Sequence, residues 1–312
     1  MTNTHEPDPR FVERLEWQLG NELRRHSRAG ALQRPAFRVL KIAGLMLGSV
    51  ALGAAAMGAS QQIGESWRRE LLEARLEVQV QLAQQRLQLQ LDALGLTRDQ
   101  VAQGVRSDRD LVYFEYQIAE AESEAATKAL ELEEVRRTGR EPLGELSSPL
   151  VDGRDFVSER IQLQMRLAHQ HLDMVRQEQD VTQRQADAGL VGRQEVEARD
   201  VVAREAELEL DALARKLDLR RAYLDHEISA VEAELKALEV EAENKVAALA
   251  QQRQYMQAEL DRFQPAVRAG TMHQAALVQL ETHLAEIEAE LRLAQSELEI
   301  VRRELARRGG KR

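Results

Sequence analysis

The apolar positions after residue 63 follow the heptad pattern of coiled coils. The clearest case is a row of leucines seven residues apart, with a second apolar row between them: Leu277, Leu284, Leu291, Leu298 and Leu305, then Leu280, Ile287, Ala294 and Val301. A helix can bury such a seam only against another helix. The pattern therefore predicts an all-α protein made of long coiled-coil helices.

Two breaks are expected before residue 156. Residues 63–137 are predicted to form one long helix or a hairpin, and Gly95 marks either a turn or a weakened point within a helix. Residues 138–155 are predicted to form a loop, because Ser148-Pro149 disfavours continued helix. A connection of this length is a candidate contact loop.

Residues 156–307 are predicted to form coiled-coil hairpins with turns near residues 189 and 270. Each turn has an Ala-Gly pair, and Gly189 and Gly270 suit a backbone conformation that other residues dislike. Between these turns the apolar rows keep their phase, which favours one helix over residues 194–264; a turn near Asp225 is the alternative. The row Leu277–Leu305 is expected to pack against the preceding helix, because a short turn brings the two together at high effective concentration.

One segment has the length and polarity of a membrane span. Ile42–Ser60 is 19 residues without a charge, and a transmembrane helix is predicted over residues 36–62. A cleaved signal peptide or a buried helix of small residues are the alternatives. Small residues share one face of the span and would let a second helix approach closely: Gly44, Gly48, Ala51 and Ala55.

The cations that flank this segment predict its orientation. Six precede it (Arg24, Arg25, Arg28, Arg34, Arg38 and Lys41) and three follow it (Arg68, Arg69 and Arg75). This bias favours an N-terminus inside and a C-terminal rod outside. Residues 1–35 are then a cytoplasmic segment with a short amphipathic helix over residues 9–25, and residues 308–312 are a basic tail. The predicted fold is all-α, with a single transmembrane helix followed by long antiparallel coiled-coil helical hairpins.

The composition and the motifs argue against a catalytic site, a metal site or a nucleic-acid partner. The net charge of −10 and the pI near 5.4 disfavour nucleic acid as a partner. The chain has no cysteine, which excludes disulfides and thiolate catalysis. His169 and His171 are two residues apart on a predicted helix, so they point to different faces and make a poor metal pair. No catalytic residue, cofactor site or metal site is predicted, and the chain is not expected to be an enzyme.

The two glycine turns resemble a known family. Gly189-Leu190-Val191 followed by Glu195-Val196 is similar to the helical tips of TolC-like outer-membrane channels. Arg268-Ala269-Gly270 followed by Gln279-Leu280-Glu281 is similar to the α-hairpin tips of periplasmic adaptor (membrane fusion) proteins of efflux pumps and type I secretion systems. Adaptors commonly have a serine three residues after the glycine, where this chain has Gly192 and His273. The resemblance covers residues 155–307, the hairpin part alone.

The resemblance and the predicted topology imply a structural role. The chain is expected to be a single-pass protein of the inner (cytoplasmic) membrane whose periplasmic helical rod scaffolds or bridges an envelope assembly. Its expected partners are the lipid bilayer and other membrane or envelope proteins that contact the rod, with a homo-oligomer left open. The alternative is a cytoplasmic coiled-coil organiser tethered to the membrane.

Overall fold

The computed structural model describes residues 65–270 and 273–309. The predicted transmembrane helix with Gly44, Gly48, Ala51 and Ala55, the amphipathic helix over residues 9–25, and residues 310–312 of the basic tail lie outside this described part. Within it the chain is all-helical, which confirms the predicted fold class at that level. None of the described helices is long and apolar enough to cross a membrane.

The described residues form six helices. They are α1 (Glu65–Ala102), α2 (Asp108–Thr138), α3 (Phe156–Asp187), α4 (Arg193–Leu224), α5 (Ala230–Arg268) and α6 (Gln274–Gly309). Each helix packs extensively against the helices that precede and follow it in the chain, so the six stand in a serial row with alternating direction. The predicted antiparallel arrangement of residues 156–307 is present, and residues 65–138 form a further hairpin.

The row of helices has two distinct ends. At one end, which we call the hub, the guanidinium of Arg69 near the start of α1 donates to the carbonyl oxygen of Arg136 at the end of α2, at 2.6 Å. Arg302 near the end of α6 pairs with Glu239 near the start of α5, at 2.9 Å. The hub therefore contains the first turns of α1, α3 and α5 and the last turns of α2, α4 and α6. The other end, which we call the tip end, holds the turns α1–α2, α3–α4 and α5–α6.

The core is three apolar clusters spread along the row. The hub cluster joins the α2–α3 loop to three helices through Leu146, Val157, Ile161, Leu217, Ala233 and Ala237. A second cluster of Leu76, Leu132 and Val135 fixes α1 to α2. The third joins α5 to α6 through Leu249, Ile287 and Ala294, with Leu291 packed against it. The leucine row of α6 thus packs within the chain, as the short turn before it predicts.

The prediction of one helix over residues 194–264 is wrong. The chain ends α4 at Leu224 and restarts at Ala230, with His226 in the left-handed region at a φ of 60°. Ser229 caps the new helix by accepting from the backbone N–H of Glu232 at 3.2 Å. Gly95, in contrast, lies inside α1, so the helix continues past this weakened point.

Candidate functional site: the hairpin tips

Four of the five connections between the described helices, all except the α2–α3 loop, have the same spacing. In each, one residue with positive φ is followed three residues later by the residue that precedes the next helix: Gly104 and Ser107, Gly189 and Gly192, His226 and Ser229, Gly270 and His273. The three glycines have φ values of 70°, 72° and 72°. A left-handed residue at this point lets the chain close the helix and reverse direction.

The hydrogen bonds of these turns also repeat. The N–H of Val105 donates to the carbonyl oxygen of Gln100 at 2.8 Å, and the N–H of Leu190 donates to that of Gln185 at 2.8 Å. At the hub turn the N–H of Glu227 donates to the carbonyl oxygen of Ala222 at 2.9 Å. Each bond runs from the residue after the left-handed position to the last turn of the helix, the Schellman arrangement.

Two of the tip turns expose a large apolar side chain at the same position. Val105 and Leu190 directly follow Gly104 and Gly189, and their relative exposures are 70% and 75%. These are the two highest values among the large hydrophobic residues of the described chain. Single exposed apolar residues are common on protein surfaces, so what sets these two apart is that they recur at the same position of two turns.

Ion pairs between neighbouring helices show how far each tip extends along the helix axes. Glu178 of α3 accepts from Arg109, near the start of α2, and from Arg199 of α4. Because α3 continues from Glu178 for nine more residues, the α3–α4 tip extends about 12 Å beyond the α1–α2 tip at 1.5 Å per residue. Arg262 of α5 pairs with Glu197 of α4, which places the α5–α6 tip nearly level with the α3–α4 tip.

The interface behind the α3–α4 and α5–α6 tips contains a buried carboxylate. Glu259 of α5 is 5% exposed, accepts from the side chain of Gln194 and pairs with Arg262 at 2.8 Å. Leu260 beside it is buried as well. The Arg262 pair lies within α5, whereas the hydrogen bond from Gln194 links α4 to α5 just behind the two tips.

The hub is organised around a fully buried arginine. Arg220 of α4 is 0% exposed and donates through Nη1 to the carbonyl oxygens of Leu146 and Ser148, at 2.6 and 2.5 Å. Through Nε and Nη2 it also donates to Asp155, which caps α3. Burial alone would raise the pKa of Asp155, but the hydrogen bonds from Arg220 and Ser158 outweigh it and hold that pKa below its usual value.

Two further carboxylates bind the α2–α3 loop. Glu134 of α2 accepts from the N–H of Leu143 at 3.2 Å and pairs with Arg160. Glu234 of α5 accepts from the N–H of Ser147 at 2.7 Å. The predicted loop over residues 138–155 is therefore held inside the hub by side chains of its neighbouring helices.

The histidine pair separates as its spacing predicts. His169 is exposed, whereas His171 packs against Tyr116 of α2 with ring centroids 5.2 Å apart. Burial lowers the pKa of His171 and raises that of Tyr116 to about 12, so both rings are neutral near pH 7. Among the described residues no group of three or more His, Asp or Glu side chains could hold a metal ion.

The structure places Gly189 and Gly270 at equivalent tip turns, while Gly44, Gly48, Ala51 and Ala55 lie outside the described residues. The third tip, at Gly104, was missed by sequence reasoning. Its signal was present in Ser107 and Asp110, which form a capping box three residues after the glycine.

Comparison of this chain with models of protein families, with curated protein sequences and with solved structures finds no match.

Proposed function

We propose that this protein is a membrane-anchored helical rod that bridges an envelope assembly and contacts its partner through the tips of its hairpins. The observation that carries the proposal is the pair of exposed apolar residues, Val105 and Leu190, at the same position of two equivalent turns. Both turns lie at the end of the rod opposite the hub, and α1 enters the array at the hub.

The energetics favour a partner at this surface. Complete burial of a Val or Leu side chain contributes roughly 1.5–3 kcal/mol, and an exposed one gives up that gain. The backbone of each turn is already fixed by its own hydrogen bonds, so little conformational entropy is lost on binding. A rigid apolar tip is therefore suited to insertion between helices of another protein.

The resemblance to adaptor and channel tips supports the same function. The α1–α2 turn, which lies outside the resemblance, also has an apolar residue directly after its glycine, as the Gly189 turn does. On this proposal the apolar segment Ile42–Ser60 is the anchor, and the partner is a helical membrane or envelope protein.

Topology is tested with a reporter. Alkaline phosphatase fused after Arg312 should be active in cells, because the enzyme requires export and the proposal places the rod outside the cytoplasm. A green fluorescent protein fusion at the same point provides the opposite readout. An inactive phosphatase with a fluorescent partner fusion would favour the alternative, a cytoplasmic organiser tethered to the membrane.

The contact surface is tested separately. The double variant Val105→Glu with Leu190→Glu should lose proteins that co-purify with the parent in mild detergent, while its helicity and melting temperature stay unchanged. The matched control is Leu150→Glu, an exposed leucine in the α2–α3 loop at the hub. Retention of the same proteins by the tip variant would rule out the tips as the contact surface.

A further inference from the structure

Among the described helices, the first and the last each have a neighbouring helix on one side only. In the described row α1 packs extensively only against α2, and α6 packs extensively only against α5, whereas every inner helix packs against two others. The side of α1 that faces away from α2, and the side of α6 that faces away from α5, are therefore the free edges of the row.

The free edge of α1 is apolar. Seven of the seventeen exposed large hydrophobic residues of the described chain are on this helix, and none is on α3 or α4. Five of them follow coiled-coil spacing along the side away from α2: Leu71, Val78, Leu82, Leu89 and Leu96. Their relative exposures lie between 47% and 69%. The helix thus has a second seam beside the one that it buries against α2.

The same edge is poor in charge. From Val78 to Leu91 the chain has six glutamines and a single charged residue, Arg86, in a protein that is 31% charged. Arg86 pairs with Glu124 of α2 at 3.3 Å. Charged residues are depleted in the cores of protein interfaces because burying an unpaired charge is costly. A strip without acidic side chains is therefore suited to burial.

The free edge of α6 mixes large apolar side chains with small ones. At the spacing of a seam its outward residues are Val278, Ala285, Ala289, Leu293, Ser296 and Ile300. Small side chains on one helix leave grooves that accept the larger side chains of another. The leucines of the α1 edge would fill such grooves.

Helix direction and side-chain charge both favour contact between the α1 edge of one copy and the α6 edge of another. Because α1 runs from the hub to the tips and α6 runs from the tips to the hub, a second copy placed beside the first would continue the antiparallel alternation. Its hub would lie at the same end. With the hubs at the same end, pairing of α6 with α6 would be parallel and would bring like charges together, since Gln274–Leu291 contains four glutamates and no Lys or Arg. Pairing of α1 with α1 would leave both α6 edges open.

We propose that the occupant of the α1 edge is the α6 edge of a second copy of this chain, so that copies stand side by side with their tips together. Such a contact is heterologous, which means that each copy offers one edge and receives the other. The tip turns take no part in it, so failure of this assembly would leave the proposed bridging function standing.

Interhelical ion pairs predict which residues would meet. The pairs run across the row as Arg98–Glu115, Arg109–Glu178, Arg199–Glu178, Arg262–Glu197 and Arg253–Glu288. Followed from one helix to the next, they place Leu89 of α1 within about one helical turn of the height of Leu293 of α6.

Cross-linking tests the pairing directly, because the chain has no cysteine of its own. Full-length Leu89→Cys and Leu293→Cys, with tags of different size, are co-expressed and treated in mild detergent with a short bismaleimide. The expected product contains one copy of each variant. Products between identical variants alone, or no product, would overturn the proposal. The control pair is Leu89→Cys with Gln170→Cys on α3, and an equal yield from it would indicate random collision and overturn the proposal as well.

The mass of the assembly gives a second measurement. The parent in mild detergent should have a mass of two or more copies, and the double variant Leu82→Glu with Leu89→Glu should be monomeric with unchanged helicity. Leu150→Glu, which is outside both edges, should keep the mass of the parent. A monomeric parent, or a double variant that keeps the mass of the parent, would show that the α1 edge is not an interface between copies.

Discussion

Arg220 of α4 donates to both carboxylate oxygens of Asp155, the residue that caps α3 and lies 65 positions earlier in the chain. The same guanidinium satisfies two carbonyl oxygens of the α2–α3 loop. One buried side chain thus joins the end of α4, the start of α3 and the loop between α2 and α3.

Replacement of Arg220 should therefore destabilise the whole rod. We expect Arg220→Met to lower the free energy of unfolding by about 3–5 kcal/mol, because it leaves Asp155 and two carbonyl groups without their partner. Urea unfolding followed by circular dichroism measures this loss. The matched control is Arg221→Met, which removes an exposed pair with Asp218 and should change stability by less than about 0.5 kcal/mol. Equal effects of the two variants would contradict the assigned role of Arg220.

Stability should fall on mild acidification because of His171. Burial holds the pKa of this residue below its unfolded value, which is about 6.5. The unfolded state then binds more protons, so stability is present above the unfolded pKa and is lost as pH falls through it toward the folded pKa. The charged and titratable groups that face the ring are Tyr116 and Glu120 of α2, Glu178 of α3 and Glu209 of α4.

The measurement compares unfolding free energies of the parent and His171→Gln between about pH 7.5 and about pH 5. The difference between the two proteins should shrink or reverse at the acidic end of this range. His169→Gln, an exposed neighbour on the same helix, should follow the parent at every pH. A difference between the two proteins that stays constant over this range would contradict the prediction.

Valine at a tip glycine should cost stability through the backbone alone. A Cβ at Gly189 would meet no atom within 4 Å, yet φ there is 72°. We expect Gly189→Val to lower the free energy of unfolding by about 1–2 kcal/mol, since a left-handed conformation is unfavourable for a β-branched residue. The control is Gly95→Ala within α1, where there is also open space and helical backbone, and it should stabilise by roughly 0.5–1 kcal/mol. Urea unfolding should therefore show a lower free energy of unfolding for Gly189→Val and a higher one for Gly95→Ala.

Glycine at residue 226 should stabilise the protein. His226 has a φ of 60° at the turn where the three tips have glycine. We expect His226→Gly to raise the free energy of unfolding by up to about 1 kcal/mol, the relief of left-handed strain less the added entropy of the unfolded chain. Thermal unfolding provides the measurement. A loss of stability would mean that the His226 side chain makes a contact worth more than the strain.

The sequence allowed the helices and two of the turns to be predicted, because an Ala-Gly break between heptads has a direct conformational meaning. A turn near Asp225 is only the alternative on sequence grounds, because Leu217, Val231 and Leu238 keep a seven-residue spacing across it. The structure shows that this row is not one seam, since Leu217 is buried and Val231 and Leu238 are about half exposed. The buried positions of α5 at the hub are alanines, Ala233 and Ala237, and hydrophobic periodicity weights alanine too little to reveal them.

The hub could not be predicted from pattern. Nothing in the heptads distinguishes Arg220 from Arg221, which is exposed, because the difference depends on a loop that lies more than 60 residues away in the chain. The exposure of Val105 and Leu190 could not be predicted from the pattern either. Both look like ordinary apolar residues in the sequence, and only the position of each turn at the end of the rod separates them from the core.

Because the contacts of the hub and of the tip turns lie at opposite ends of the helices, the length of the rod can change without any change to either end. Seven residues added to both arms of each hairpin, midway between hub and tips, would preserve every seam and lengthen the rod by about 10.5 Å. Arg220 would keep its hydrogen bonds to the α2–α3 loop, and the tip turns would keep their backbone hydrogen bonds. The distance from hub to tips is therefore a property of the middle of the helices, set by the number of heptads, and it can vary independently of the contacts at either end.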